Sequence, residues 1–133
     1  MGNINIISLL LSNQNIDVNC YHSEYQIKDK DYFKLDKMTA LHIAVENDKY
    51  EIAELLIKHP KLDVNIKAFS REMSPTIYLS KEKTALHMAV KKFTTSFTKL
   101  LLSHPEININ CKDENGCIPK ETTMNLFQKI LLR

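Results

Sequence analysis

The chain has no tryptophan, two glycines, four prolines and three cysteines in 133 residues. The scarcity of glycine and that of cysteine each remove a class of protein. A phosphate-cradling loop needs glycines that let backbone amides converge on the anion, and neither a Gly-x-Gly-x-x-Gly nor a Walker-type sequence is present. Gly-x-Ser-x-Gly and His-Glu-x-x-His are missing as well, so no enzyme is expected and no cofactor is implied. Three cysteines are an odd number without framework spacing, and no histidine or cysteine stands at zinc-site spacing beside Cys111 and Cys117. Reduced thiols and an intracellular, cytoplasmic setting follow as the expectation. A formal net charge of +2 is too small to argue for nucleic acid or an anionic membrane. No apolar run approaches the roughly 18 residues of a membrane span, and the first residues lack the basic-then-apolar layout of a secretory signal. Met1-Gly2-Asn3 begins like a myristoylation signal, but Ile6 stands where Ser or Thr is required.

What the chain has instead is repetition. Thr39-Ala40-Leu41-His42-Ile43-Ala44-Val45 returns 45 residues on as Thr84-Ala85-Leu86-His87-Met88-Ala89-Val90. A second phrase, Leu55-Leu56-Ile57-Lys58-His59-Pro60-Lys61-Leu62-Asp63-Val64-Asn65, returns from Leu100 to Asn110 and occurs in part from Leu9 to Asn19. Self-similarity at fixed spacing marks an architecture of stacked units.

These phrases resemble the ankyrin repeat: a Thr-Pro-Leu-His-x-Ala opening, a second helix ending in Leu-Leu, and a loop ending in Val-Asn. Ala40 and Ala85 replace the family's proline, and the spacing exceeds its roughly 33-residue period. The excess lies between Asn19 and Thr39 and between Asn65 and Thr84, where each connection carries roughly 11–12 extra residues. The resemblance implies a mainly α fold, a solenoid of stacked helix-turn-helix units with extended β-hairpin-like loops. Residues 1–133 then form one domain. Residues 1–19 are a partial repeat keeping only its second helix, 39–65 and 84–110 are the helical units of two complete repeats, 20–38 and 66–83 are finger insertions, and 111–133 are an atypical terminal cap.

Periodicity agrees along the chain. Asn3 to Ser12 reads as a short helix with Ile6, Ile7, Leu9 and Leu10 on one side. By alignment it lacks its companion helix, which leaves an apolar face that pairs with another copy or continues a longer array. In the first finger Tyr25-Gln26-Ile27 and Tyr32-Phe33-Lys34-Leu35 flank Lys28-Asp29-Lys30-Asp31, as two short strands would flank a polar turn; an unstructured loop is the alternative. The second finger places Phe69 and Met73 before Ser74-Pro75, and Ile77-Tyr78-Leu79 after it. Ile77 and Tyr78 precede Thr84 by the same distance as Tyr32 and Phe33 precede Thr39, so the fingers are expected side by side, packed through these residues. Thr39 and Thr84 suit helix caps. Leu41, Ala44 and Val45 form a buried stripe, as do Ile52, Ala53, Leu55 and Leu56, and Phe97, Leu100 and Leu101. Asn47-Asp48 suits a sharp turn, and Pro60 ends the second helix.

His42 and His87 sit within the repeat phrase and need no substrate to explain them. The signature Thr39, Leu41, His42, Ala44, Thr84, Leu86, His87 and Ala89 is therefore read as structural. His59 and His104, each before a proline, are read as helix-end donors. The resemblance implies a protein-interaction module that contacts another protein through its fingers and first-helix face. The candidate contacts are Tyr25, Tyr32, Phe33, Phe69, Met73 and Tyr78 on the fingers and Glu46, Asn47, Lys91 and Lys92 on the helix side, with no nucleic acid and no membrane as partner. A passive segment of a longer array is the competing reading.

Overall fold

A threonine ends a strand and caps a helix at two places, and the whole arrangement follows from those corners. The structure, a computed structural model, describes residues 4–114 and 116–119. In order these are α1 (Ile4–Leu11), β1 (Tyr21–Asp29), β2 (Tyr32–Thr39), α2 (Ala40–Glu46), α3 (Tyr50–Ile57), β3 (Lys67–Ser74), β4 (Ile77–Thr84), α4 (Ala85–Lys91) and α5 (Thr95–Leu102). Most of the expected terminal cap, 111–133, lies outside the described residues.

Helices of seven or eight residues are too short to stand alone in water, so packing has to hold them. The helices stack by level: α2 lies against α4, and α3 against α1 and α5. Leu41, Val45, Leu86, Ala85, Ala89 and Leu101 are buried at their shared interfaces, with Val18, Leu56, Val64 and Phe97 completing the core. Tyr50 meets the Phe97 ring edge-on at 5.5 Å across the α3–α5 contact.

The loop asparagines fasten one level to the next. The Asn19 amide donates to the Lys61 carbonyl at 2.8 Å while its Oδ1 accepts from the Asp63 N–H at 2.8 Å. Asn65 repeats both bonds one level on, to the Glu106 carbonyl and the Asn108 N–H. His59 and His104 accept at Nδ1 from the amides of Lys61 and Glu106. This corrects the expectation that they donate to helix ends.

The fingers form a sheet. β1 to β4 pair antiparallel in chain order, so two hairpins join through β2 and β3, from Lys37 opposite Phe69 to Phe33 opposite Met73. A lone hairpin is marginal in water, and each hairpin here gives the other a third and fourth strand. Phe33 therefore faces Met73 across the join. Ile77 and Tyr78 lie on β4, two strands from β2, so the expected packing between the equivalent aromatics is not formed. The mainly α solenoid expected from the resemblance is overturned: helix takes 33% and strand 29% of the described residues. The strands run eight or nine residues, and β2 and β4 continue without a linker into the capping threonines Thr39 and Thr84.

Candidate functional site

Thr39 and Thr84 set the corner between the sheet and the first helices. At Thr84 the hydroxyl accepts from the His87 N–H at 3.3 Å, and the Thr84 N–H donates to His87 Nδ1 at 3.2 Å. Thr39 and His42 form the same reciprocal box, with the hydroxyl–amide contact looser. Each threonine hydroxyl lies 2.7 Å from the imidazole Nδ1. Because Nδ1 accepts from a backbone amide, the ring proton resides on Nε2. His87 Nε2 donates it to the Cys117 carbonyl at 3.2 Å. Among the described residues, the buried His42 Nε2 has no hydrogen-bond partner. Burial pushes the His42 pKa down to about 4; the Ile66 and Lys83 carbonyls oppose this without reaching hydrogen-bond geometry.

These corners turn one face of the sheet toward α2 and α4, enclosing a groove of about 620 Å³. Strand alternation puts Glu24, Lys34, Asp36, Ser70, Lys81 and Lys83 on that face, and α2 and α4 contribute Ile43, Glu46, Asn47, Met88, Lys91 and Lys92. The opposite face carries Tyr21, Tyr25, Ile27, Phe33, Phe69, Met73 and Tyr78. On it Tyr25 meets Phe33 at 6.1 Å and Tyr21 meets Phe69 at 5.8 Å. Tyr25 and Tyr78 remain 64% and 66% exposed.

The residues proposed from sequence as one contact set are thus divided between two surfaces. Glu46, Asn47, Lys91 and Lys92 line the groove, and Phe69 borders it. Tyr25, Phe33, Met73 and Tyr78 belong to the aromatic face. Tyr32 lies on the groove-side face, where its hydroxyl donates to Glu72 at 2.5 Å, which pushes the phenol pKa up. Lys92 is committed within the stack. Its ammonium donates to the Val45 and Glu46 carbonyls at 3.2 and 2.7 Å and to Asp48 at 3.0 Å, closing the C-terminal end of α2. Sequence reasoning missed Lys81 and Lys83, because only strand register shows which side they face. It also missed Phe93, which is 74% exposed at a positive φ of 56°. Among the described residues no group of three or more His, Cys, Asp or Glu could hold a metal, and no helix is long and apolar enough to cross a membrane.

Stacked helix pairs, each opened by a Thr–His box and joined by loops carried out to one side, define a repeat protein. The chain belongs to the ankyrin repeat family: the family described as "Ankyrin repeats (3 copies)" matches residues 1–68, and "Ankyrin repeat" matches residues 81–114. Members of the family are generally protein-interaction modules and typically non-enzymatic. No curated protein matched the chain.

Proposed function

We propose that this chain binds another protein across its hairpin sheet and first-helix face. The groove between them carries the reading: a concave surface whose walls come from both inserted hairpins and both first helices, lined mostly by side chains outside the core. The aromatic face supports it, since exposed tyrosines supply large contact area with a polar tip. The hairpins add contact surface while the buried core lies mainly among the helices and the loops that join them. Shortening both hairpins to the Asp113–Gly116 type of turn should leave the helices folded, because a doubling of loop length changes closure entropy by only about 0.6 kcal/mol. The shortened chain, used beside the parent to capture partners from lysate, should stay helical by circular dichroism and lose its partner. Undiminished capture would sink the reading.

A second reading has its own observation. Ile6, Leu9 and Leu10 on α1 are exposed, Leu9 by 72%. A contiguous apolar face of this kind supports packing against another copy or a further unit. Sedimentation should then show association that Leu9→Lys weakens.

A further inference from the structure

We propose that the groove takes an extended peptide segment of opposed charge, its acidic end held by Lys81, Lys83 and Lys91 and its basic end by Glu46 and Glu24. The inference rests on the interaction reading above and names the chemistry of the partner. Its first support is how the groove's charges are already used. Lys34 is paired with Asp36 at 3.0 Å, and Lys92 is held by two carbonyls and Asp48. Among the described residues, Lys81, Lys83 and Lys91 form no ion pair. Lys83 is only partly exposed, and its pKa is pushed down by that burial and by its neighbours Lys91 and Lys81, with Glu114 opposing. Like charges gathered in a concave wall are unfavourable until an anion joins them, which makes them a receptor for carboxylates.

The second support is the segregation of sign. The uncommitted cations come from β4 and α4, at the second-repeat end of the groove. At the other end, on β1 and α2, Glu46 forms no ion pair among the described residues, and Glu24 meets only His22, at 3.5 Å. A polyanion such as nucleic acid would press its phosphates against Glu24 and Glu46, whereas a peptide can reverse its charge along its length. From β1 to β4 is three strand spacings, roughly 14 Å, which an extended chain crosses in about four or five residues.

The test is fluorescence anisotropy at low salt with labelled synthetic peptides. One peptide has a glutamate block, a serine spacer of about four residues and a lysine block, made in both chain directions. Controls are an interleaved peptide of the same composition, an all-glutamate peptide and oligothymidine. The blocked peptide should bind best in one direction, and Lys83→Gln with Lys91→Gln should weaken it by about tenfold or more. Glu46→Lys should weaken the blocked peptide and strengthen the all-glutamate one, a reversal that misfolding would not produce. Equal binding of the interleaved peptide, tighter binding of oligothymidine, or no binding in either direction overturns the proposal. In lysate capture, a partner lost on hairpin shortening yet kept by the Lys83→Gln, Lys91→Gln variant leaves the interaction reading standing and removes this one. A partner kept on shortening removes the interaction reading itself.

Discussion

The two complete repeats, 39–65 and 84–110, open on nearly the same seven residues and meet different fates on the far side of the histidine. Both build the Thr–His box, both bury the leucine between threonine and histidine, and both turn strand into helix without a linker. After His87 comes a short turn in which Gly116 takes a φ of +72° and the Asp113 N–H donates to the Cys117 carbonyl at 2.8 Å, the same carbonyl that receives Nε2. After His42 comes the second hairpin, and the Nε2 proton has no partner among the described residues. The box therefore belongs to the repeat itself, while the environment of the outer nitrogen belongs to whichever unit follows.

The largest test asks whether the repeats contribute equally to one core. Leu41 and Leu86 are both almost fully buried, and either one changed to Ala should cost about 2–5 kcal/mol in urea denaturation. Two separate transitions in either variant would show that the repeats unfold independently and would break the comparison at its root.

Acid should test the first box. The folded His42 value of about 4 lies below the ordinary 6.5, so the folded state binds fewer protons than the unfolded chain between those values. Its contribution is full above pH about 6.5 and is lost as pH falls toward and through about 4, a range of about 3 kcal/mol. Denaturation midpoints followed through that window should flatten in His42→Gln relative to the parent. Parallel slopes in His42→Gln and the parent would mean that burial of this imidazole is not the source. The caps come next in size: Thr39→Ala and Thr84→Ala should each cost roughly 1 kcal/mol in midpoint stability, and unchanged midpoints would remove their capping role.

The helical half of this molecule was open to reading because its residues repeat and its apolar positions keep a helical period. Leu41, Ala44 and Val45, with Ala53, Leu56, Phe97 and Leu101, are buried as the spacing requires. The sheet was harder to read. Runs such as Lys28-Asp29-Lys30-Asp31 and Lys81-Glu82-Lys83 have the composition of solvated loops, and hairpins with charge on both faces give little alternation of polarity. What orders them is lateral pairing between segments some 30 to 40 positions apart, such as Asp36 with Ser70 and Phe33 with Met73. The groove was invisible for the same reason. Glu46 and Lys91 could be placed on the first helices from their repeat position, but Lys81 and Lys83 join them only once strand register is fixed. The shared asparagines did carry a signal, since Asn19 and Asn65 recur at one repeat position. Their recurrence reflects the paired bonds to the next level.

The smallest effect concerns the turn between the helices, at the position where Phe93 in the second repeat replaces Asp48 of the first. Asp48 and Phe93 occupy the same position and share a left-handed backbone, at φ values of 57° and 56°. Aspartate tolerates that conformation, but a bulky side chain there is strained, and the left-handed region costs an ordinary L-residue about 1–2 kcal/mol. Phe93 recovers little by packing, because most of its ring is in water. Phe93→Asp should therefore raise stability by about 0.5–1 kcal/mol, read as a higher urea midpoint. The reverse change, Asp48→Phe, should lower it by more, because it also removes the Lys92 ion pair that ties the second repeat to the first. Strain held at an exposed aromatic is a recurring mark of a contact residue. If Phe93→Asp raises the midpoint and reduces partner capture together, the second repeat carries its strained phenylalanine for binding. A midpoint that falls would show that the ring packs against the fold after all, and the two turns would then differ in packing and not in backbone tolerance.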